Sequence, residues 1–352
     1  MRYFAHLCWL VIGLNLLLNA CKSIPDRATE LQNSHTSDYN CRPIPDCDAL
    51  TPDPGEVRPF KVRQPNGGAW HYGHDQFFRE GDAQWILGKF SYGNQLRREA
   101  LRAEEVDIWL LRGCGESWEK IGTSRTTAHD LEHAAIAGID DDAGRIYFPI
   151  PKDKELGVGR HRVRMQVAGD HSAAELFIEV LPKNSRLPLF ISDIDGTLTT
   201  AEFAELGGTL TGKSPDANEG AAQAFQALVA KGYRPYYLTA RPEHSVQRTR
   251  DFIKEKGFPA GIISVSRSPI LGLSGNNAIK YKSDAILRLK NMDLRIDFAF
   301  GNTLTDAQAY ERADLAKDSR FFFKYEDKTF GGHYFHSYLD LNNFDQVVNT
   351  CF

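Results

Sequence analysis

The sequence carries no strong excess of charge of either sign. Its 42 lysine and arginine residues against 46 aspartate and glutamate residues give a formal net charge of −4 at pH 7 and a pI near 6.3. A protein that binds the phosphate backbone of nucleic acid usually presents a strongly basic surface. We therefore expect no nucleic-acid partner. The hydrophobic content of 42% is that of a globular protein, and 352 residues are enough for two or three domains.

The sequence also lacks an apolar run long enough to span a bilayer. The run at residues 7–18 has twelve residues, whereas a spanning helix needs about 20. A run of this length near the start of a chain is typical of a secretory signal peptide. It ends in Leu-Asn-Ala before Cys21, which resembles the lipobox of bacterial lipoproteins. The resemblance implies removal of residues 1–20 and lipidation of Cys21, and Lys22 then favours an exported outer-membrane lipoprotein on the periplasmic face. An ordinary secretory leader is the alternative.

The chain lacks the CxxC spacing that is typical of zinc sites. After removal of the leader, Cys41, Cys47, Cys114 and Cys351 remain besides Cys21. An even number in an exported protein predicts disulfides, and four cysteines allow three pairings. Because Cys41 and Cys47 lie close together in a proline-rich stretch, a local bridge between them is the pairing we favour.

Composition and periodicity divide the rest of the chain into a tether and two domains. Residues 21–58 are rich in Pro, Asp, Ser and Asn and have little hydrophobic periodicity, which predicts a tether. Residues 59–182 contain short stretches in which apolar and polar residues alternate, such as 106–110 and 163–167. This period of two, interrupted by Gly and Asp turns, predicts an antiparallel β-sandwich.

From residue 183 to residue 352 the pattern changes to alternating strands and helices. Strands are predicted at 189–191, 236–238, 262–265, 298–300 and 321–323, and helices near 221–229, 243–256, 279–290 and 305–312. Such alternation predicts an α/β domain with a parallel sheet. Its functional site is then expected at the carboxyl ends of the strands.

Two aspartates follow the first of these strands at a spacing of two. The stretch contains Asp193, Asp195, Gly196 and Thr197. An aspartate carboxylate can attack phosphorus and form an aspartyl-phosphate. That reaction needs a cation such as Mg²⁺ to offset the negative charge, and an acid to protonate the leaving group. Gly196 permits a tight turn whose backbone N–H groups can face a phosphate.

Three further polar clusters stand at strand ends or on the helix that follows. Thr239 and Arg241 end the second strand, where their side chains can bind phosphate oxygens. Lys282 lies on the helix after the third strand, where a cation can neutralise a phosphorylated aspartate. Asn302 and Asp306 follow the fourth strand and offer an amide and a carboxylate to a metal ion.

These motifs together resemble those of the haloacid-dehalogenase superfamily and, within it, the lipin-type phosphatidate phosphatases. The segments that carry the resemblance are 193–197, 239–241, Lys282 and 301–310 (GNTLTDAQAY). The resemblance implies a Rossmann-like domain with a parallel sheet. The short spacings between the motifs leave no room for a large cap, so the site is open to a lipid phosphate in a bilayer.

The resemblance also implies a role for each matching residue. Asp193 is the nucleophile, Asp195 the general acid and base, and Thr239 and Lys282 are phosphate ligands, with Lys280 as the alternative to Lys282. The expected substrate-binding residues are Gly196, Thr197 and Arg241. The expected Mg²⁺ ligands are Asp193, the carbonyl of Asp195, Asn302 and Asp306. One departure is Thr303, where lipins have arginine, which leaves recognition of the head group open.

A second resemblance covers the β-domain. Residues 144–151 and 156–182 are similar to the C-terminal region of membrane-associated phosphatidylinositol transfer proteins, in which a β-domain directly precedes a lipin-type domain. In those proteins the lipin-type domain lacks the first catalytic aspartate and is regarded as a phosphatidic-acid sensor. This chain has Asp193, which favours a phosphatase of phosphatidic acid or a related lipid phosphate. The alternatives are a non-catalytic phosphatidic-acid sensor and a phosphatase of a soluble phosphoester.

Two other motif matches are attributed to coincidence. Residues 207–214 fit the P-loop pattern, but no convincing strand precedes them and Pro215 keeps Ser214 from helical geometry. We therefore expect no nucleotide. Residues 129–133 fit the inverted zinc-peptidase pattern HxxEH, but they lie between strands of the predicted sandwich. An exposed loop or short helix is predicted there.

Overall fold

The computed structural model describes residues 39, 41–94, 96–200, 214–268, 272–326 and 329–351. Within these ranges an all-β domain precedes an α/β domain. The expected lipidation site Cys21 and most of the P-loop-like segment lie outside the described residues. The described helices include none with the length and apolar character needed to cross a membrane.

The all-β domain is a sandwich of short strands. Its strands are β1 (Gly68–Ala69), β2 (Tyr72–Gly73), β3 (Gln76–Arg79), β4 (Trp85–Lys89), β5 (Ser91–Gly93), β6 (Arg98–Ala100), β7 (Glu105–Leu111), β8 (Trp118–Arg125), β9 (Arg145–Pro149), β10 (Gly159–Val167) and β11 (Ala173–Leu181). One sheet has the order β3-β11-β10-β7-β8, a second has the order β2-β4-β9, and a third small sheet has the order β1-β5-β6. All the pairings are antiparallel except that of β3 with β11.

Alternating side chains build the core between the two larger sheets. Val163 and Met165 of β10 stand opposite Leu110 and Ile108 of β7. These side chains are fully buried with Ile86 of β4 in one cluster. The predicted antiparallel sandwich is therefore confirmed. The first strands of the domain escaped the sequence analysis because they are too short, or too continuously buried, to show alternation.

The α/β domain is built on a six-stranded parallel sheet. Its strands are β12 (Pro188–Ser192), β13 (Arg234–Pro242), β14 (Ile262–Ser266), β15 (Arg295–Gly301), β16 (Arg320–Phe323) and β17 (His333–Phe335). Its helices are α1 (Ala221–Ala230), α2 (Val246–Glu255), α3 (Gly275–Asn291) and α4 (Leu304–Arg312). Five short 3₁₀ segments lie in the described chain, at Arg112–Cys114, Lys152–Lys154, Glu243–Ser245, Lys317–Ser319 and Tyr338–Phe344. The predicted α/β fold with a parallel sheet is confirmed.

The strand order places a functional site between two particular strands. The order is β14-β13-β12-β15-β16-β17, so the chain starts in the middle, moves outwards to β14, and resumes on the other side at β15. This is the order of doubly wound folds, in which ligands bind at the carboxyl ends of the strands where the direction reverses. The reversal point here lies between β12 and β15.

Both faces of this sheet are covered, which explains why its strands are continuously apolar. Leu189 and Ile191 of β12 pack in one cluster with Ile286 of α3. Phe190 of the same strand points to the other face and packs with Phe225 of α1, at a ring-centroid distance of 4.8 Å.

Residues 41–58 differ from the predicted free tether. Cys41 is bridged to Cys351 and Cys47 to Cys114, so the expected bridge between Cys41 and Cys47 is wrong. Tyr39 is buried, and its hydroxyl donates a hydrogen bond to Glu179 Oε1 at 2.8 Å. The described part of this segment is therefore attached to both domains. The short separation of Cys41 and Cys47 in the sequence favoured the wrong pairing, because it does not show that Cys351 lies beside Cys41 in the fold.

Buried polar contacts join the two domains. Asp75 of the sandwich accepts hydrogen bonds from Arg250 Nη2 at 2.8 Å and from the backbone N–H of Ile263 at 3.2 Å. Arg145, at the start of β9, donates from Nη2 to Glu243 Oε1 at 3.0 Å. Such contacts need a fixed domain orientation, because a buried charge without its partner is costly.

Candidate active site

The polar residues predicted from the strand ends meet at the reversal point of the sheet. Asp193 directly follows β12, and its backbone N–H donates to the carbonyl of Phe300 on β15 at 3.0 Å. Asn302 directly follows β15, and Thr239 lies on β13 beside β12. Parallel strands end at one edge of the sheet, which brings these side chains together.

A tight turn after Asp193 is held by hydrogen bonds within the chain. Gly196 has a φ of 71°, in the left-handed region that favours glycine. Its N–H donates to Thr199 Oγ1 at 3.0 Å, and the Asn218 side chain donates to the carbonyls of Thr197 and Thr199 at 2.8 and 3.0 Å. The turn therefore fixes the direction in which the Thr197 hydroxyl points. Asn218 had no role in the sequence analysis, since no motif marks it.

Asp193 is a buried carboxylate with a cation on one side. Its Oδ1 accepts a hydrogen bond from Lys282 Nζ at 2.7 Å, and its Oδ2 lies 3.3 Å from Thr197 Oγ1. Burial raises the pKa of Asp193; the Lys282 ammonium opposes this effect, whereas the carboxylates of Asp306 and Asp195 add to it. The ion pair with Lys282 favours the ionised form that a nucleophile requires.

Lys282 lies between two carboxylates. Its Nζ donates to Asp193 Oδ1 and to Asp306 Oδ1, the latter at 2.6 Å. Burial alone would lower the pKa of Lys282, but the charges of Asp193 and Asp306 outweigh burial and raise it. Lys280, the alternative in the sequence analysis, is exposed and pairs with Asp284 on the same helix. The structure thus places Lys282 in the site.

Asp306 is fully buried in the site and contacts both Lys282 and the start of α4. Its Oδ2 accepts from the backbone N–H groups of Asn302 and Thr303, both at 3.1 Å, and from Thr303 Oγ1 at 2.7 Å. Its Oδ1 is bound by Lys282. Asp306 and Thr303 form a capping box at the start of α4. Both carboxylate oxygens thus contact neighbouring groups, which places Asp306 beside Lys282 and at the cap of α4, while its expected role as a metal ligand stays a prediction.

Asp195 is paired with Arg241. Arg241 Nη2 and Nε donate to Asp195 Oδ1 at 2.7 and 3.0 Å, and Thr239 Oγ1 donates to Asp195 Oδ2 at 3.3 Å. Arg241 is held in turn by Thr249, whose Oγ1 lies 2.9 Å from its Nη1. The structure therefore brings Asp195, Thr239 and Arg241 together. In addition, Arg241 is hydrogen-bonded directly to Asp195.

The donor atoms near Asp193 fit a magnesium ion. The Thr197 hydroxyl lies 3.3 Å from Asp193 Oδ2 and 2.9 Å from Asn302 Oδ1, so these two oxygens face a common point. Mg²⁺ binds through oxygen and commonly takes one or two carboxylates while keeping several waters. The described residues contain no group of three or more His, Cys, Asp and Glu that would form a metal site from protein alone. A site with few protein ligands is compatible with that finding.

Residues 129–133 take part in loop structure. Glu132 Oε2 accepts from the backbone N–H groups of Ala128 and His129 at 2.6 and 3.1 Å, and the His133 ring stacks on Tyr147 at 4.2 Å. The interpretation of HxxEH as an exposed loop agrees with this arrangement.

The comparisons with known proteins match the two domains separately. Residues 69–180 match the family model described as the PITM 1-3 beta-sandwich domain, and residues 190–324 match the PITM 1-3 LNS2 domain. Membrane-associated phosphatidylinositol transfer protein 2 of Homo sapiens is 27% identical over 258 residues, which cover 72% of this chain and 17% of that protein. Protein retinal degeneration B of Drosophila melanogaster is 28% identical over 263 residues, 74% of this chain and 18% of that protein.

The chain thus spans less than a fifth of the length of these relatives. The matched regions coincide with the sandwich and with the parallel sheet that holds Asp193. Residues 69–180 of this chain are thus similar to the PITM 1-3 beta-sandwich domain, and residues 190–324 are similar to the LNS2 domain.

Proposed function

We propose that the LNS2 domain is a Mg²⁺-dependent phosphatase that hydrolyses phosphatidic acid or a related lipid phosphate. The observation that carries the proposal is the environment of Asp193, a buried carboxylate held by Lys282 at the reversal point of the sheet. A second carboxylate, Asp195, lies two residues further on. A nucleophile, a cation and a neighbouring acid are the groups that transfer of a phosphoryl group to a carboxylate requires.

In the proposed reaction the Asp193 carboxylate attacks the phosphorus, and the bond from phosphorus to the lipid oxygen breaks. Asp195 in its protonated form donates a proton to that oxygen, so diacylglycerol or its analogue leaves. Asp195 then accepts a proton from water, which attacks the phosphorus of the aspartyl-phosphate and releases inorganic phosphate. Lys282, at 2.7 Å from Asp193, offsets negative charge throughout. Microscopic reversibility makes one residue the acid in the first step and the base in the second.

The side chains around these aspartates would bind and orient the phosphate. Thr239 and Arg241 border Asp195, so a phosphate oxygen placed there meets a hydroxyl and a guanidinium. Asp193, Asn302, Asp306 and the carbonyl of Asp195 would hold Mg²⁺. When bound, the ion would offset the charge of the carboxylate and the phosphate.

The lipid nature of the substrate rests on the relatives and on access to the site. One of the relatives is named as a membrane-associated phosphatidylinositol transfer protein, and the region that matches the LNS2 family model includes the whole site. Between Thr239 and Lys282 the described chain contains α2 and β14, with no segment that could form a cap domain. Acylation of Cys21, outside the described residues, would hold the open site at a bilayer surface.

One feature favours a second candidate, a phosphatidic-acid sensor. Arg241 forms a bidentate contact with Asp195, and this contact engages the carboxylate that would act as acid and base. If Arg241 kept this contact while a phosphate was bound beside Asp193, Asp195 could not transfer protons and the phosphate would be bound without being hydrolysed. In that case the domain would report on phosphatidic acid by binding it.

Phosphate release from phosphatidic-acid vesicles in Mg²⁺ would separate the candidates. The wild-type chain is compared with Asp193→Asn, and vesicle binding is measured for both by flotation. Release that needs Asp193 supports the phosphatase. Vesicle binding by both proteins with no release by either supports the sensor, and release from p-nitrophenyl phosphate but not from vesicles supports a soluble substrate.

A further inference from the structure

A large cavity lies between the two domains, beside the edge strand β14. Its volume is about 670 Å³, within the roughly 300–1,000 Å³ of small-molecule sites. Phe77 and Leu87 of the sandwich and Val265 and Leu289 of the α/β domain are among its walls. Protein interiors seldom leave empty space larger than a water molecule. Most of the lining side chains are apolar, although charged ones such as Asp284 and Arg288 also line the cavity, so it is suited to a mainly apolar ligand.

One face of helix α3 runs along the cavity. Tyr281, Ala285 and Leu289 line it at a spacing of four residues, and Leu273 and Met292 line it just before and just after the helix. A helix of 17 residues is about 25 Å long. From Tyr281 to Leu289 the lining covers about 12 Å of this helix.

One residue of the cavity wall, Leu273, is hydrogen-bonded to the strand that carries part of the candidate active site. The N–H of Leu273 donates to the carbonyl of Ala240 at 2.9 Å, and Ser266 Oγ donates to the same carbonyl at 2.9 Å. Ala240 is the residue between Thr239 and Arg241, whose side chains contact Asp195. The wall of the cavity is thus hydrogen-bonded to the strand that carries the expected phosphate ligands.

We propose that this cavity binds an acyl chain of the lipid whose phosphate binds at Asp193. The proposal rests on the proposed function for its lipid class, and it adds a site that contains residues of both domains. An acyl chain suits a cavity whose walls are mostly apolar, because it has no polar group that would lose its hydrogen-bond partners there. The sandwich supplies one wall, so the site is incomplete in an isolated LNS2 domain.

Two substitutions should close the cavity from different sides. Ala83 is exposed at its rim and Ala285 lies on the α3 wall, so Ala83→Trp and Ala285→Phe would add a ring to the space. The matched control is Ala260→Phe, which adds a ring to a separate cavity of about 480 Å³ between the domains. Melting curves of all the variants check that each remains folded.

Native mass spectrometry measures lipid binding without vesicles. Titration uses dioleoyl and dihexanoyl phosphatidic acid, which share a head group and differ in acyl length. We expect wild type and Ala260→Phe to prefer the long-chain lipid, and both cavity variants to lose at least about tenfold of that affinity. Turnover of the dihexanoyl lipid should not change. Long-chain affinity at the wild-type value in both cavity variants would overturn the proposal, as would an equal loss in Ala260→Phe.

The outcome is separable from the proposed catalytic function. Asp193→Asn, which should release no phosphate, should keep the preference for the long-chain lipid, because its cavity is unchanged. Failure of phosphate release in the wild type would reject the phosphatase and leave the acyl-length preference to be measured by binding alone.

Discussion

Replacement of Arg145 by methionine should weaken the junction between the domains. The Arg145 side chain is 1% exposed, and its guanidinium donates to Glu243 Oε1 at 3.0 Å and to Asp142 Oδ1 at 2.6 Å. Glu243 is also buried and lies two residues after Arg241. Methionine keeps much of the length of the side chain but leaves the Glu243 carboxylate buried without its cation.

Two estimates of the free energy of unfolding lost in Arg145→Met agree in magnitude. Removal of one partner from a buried ion pair costs about 3–5 kcal/mol. Burial alone would raise the pKa of Glu243, but hydrogen bonding by His74 and the charge of Arg145 outweigh it and lower the pKa from 4.5 to about 2. That difference corresponds to about 3 kcal/mol of stability, of which Arg145 supplies a part.

The stabilisation through Glu243 depends on pH in one direction. Because the pKa of Glu243 is lowered in the folded protein, its contribution is complete above a pH of 4.5 and is lost as the pH falls towards about 2. Arg145→Met should therefore show its largest destabilisation near neutral pH. The difference between wild type and variant should shrink as the pH falls below 4.5, because the unfolded chain then binds a proton at Glu243 that the folded wild type, with a pKa of about 2, does not bind.

Equilibrium urea unfolding with the disulfides oxidised measures the effect near neutral pH and at about pH 3. The control is Arg63→Met, because Arg63 pairs with Glu99 but is 68% exposed, and such surface pairs contribute about 0–1 kcal/mol. A free energy of unfolding for Arg145→Met within about 1 kcal/mol of that for Arg63→Met would refute the reasoning.

Three more substitutions test other parts of the structure. Lys282→Met removes the cation between two buried carboxylates, so it should abolish phosphate release and lower the free energy of unfolding in urea by about 3–5 kcal/mol. The control is Lys280→Met, because Lys280 is exposed. It should change the free energy of unfolding by no more than about 1 kcal/mol, and the rate of phosphate release by no more than the equivalent factor. Cys351→Ser opens the bridge to Cys41 and should lower the free energy of unfolding by about 2–5 kcal/mol. Adding reductant to this variant should lower the free energy further only through the other bridge, between Cys47 and Cys114. Gly301→Ala would put a Cβ into the Asp306 side chain, so it should cost about 1–3 kcal/mol and slow phosphate release; wild-type values would contradict the packing seen there.

The sequence predicts the α/β domain and the residues that meet in it. Apolar strands such as 189–191 and 298–300 are marked by continuous hydrophobicity, and Asp193, Thr239 and Asn302 stand where such strands end. Parallel strands with right-handed connections end at the same edge. The approach of these side chains therefore follows from order along the chain.

The sequence did not distinguish a metal ligand from a helix cap at Asp306. Thr303 and Asp306 have the spacing of a capping box, a threonine followed three residues later by an acidic side chain. A metal-binding carboxylate after a strand has the same appearance in one sequence. The capping pattern is the signal from which the contact between Thr303 and Asp306 could have been predicted.

Contacts between distant residues could not be predicted. The partners of Cys41 and Arg145 lie 310 and 98 residues away, and the pairing depends on how the domains face each other. Charged residues carry no periodic mark of burial, so Arg145 and Glu243 resemble surface residues in the sequence. Only the packed structure shows that they are buried together.

The central claim is that Asp193 forms a covalent phosphoryl intermediate. Rapid acid quenching of the wild-type chain during turnover of labelled phosphatidic acid, followed by peptide mass spectrometry, tests it most directly. We predict a phosphorylated peptide that contains Asp193, is cleaved by hydroxylamine, and disappears in Asp193→Asn. Phosphate release without that intermediate, or an unchanged signal in Asp193→Asn, would contradict the account.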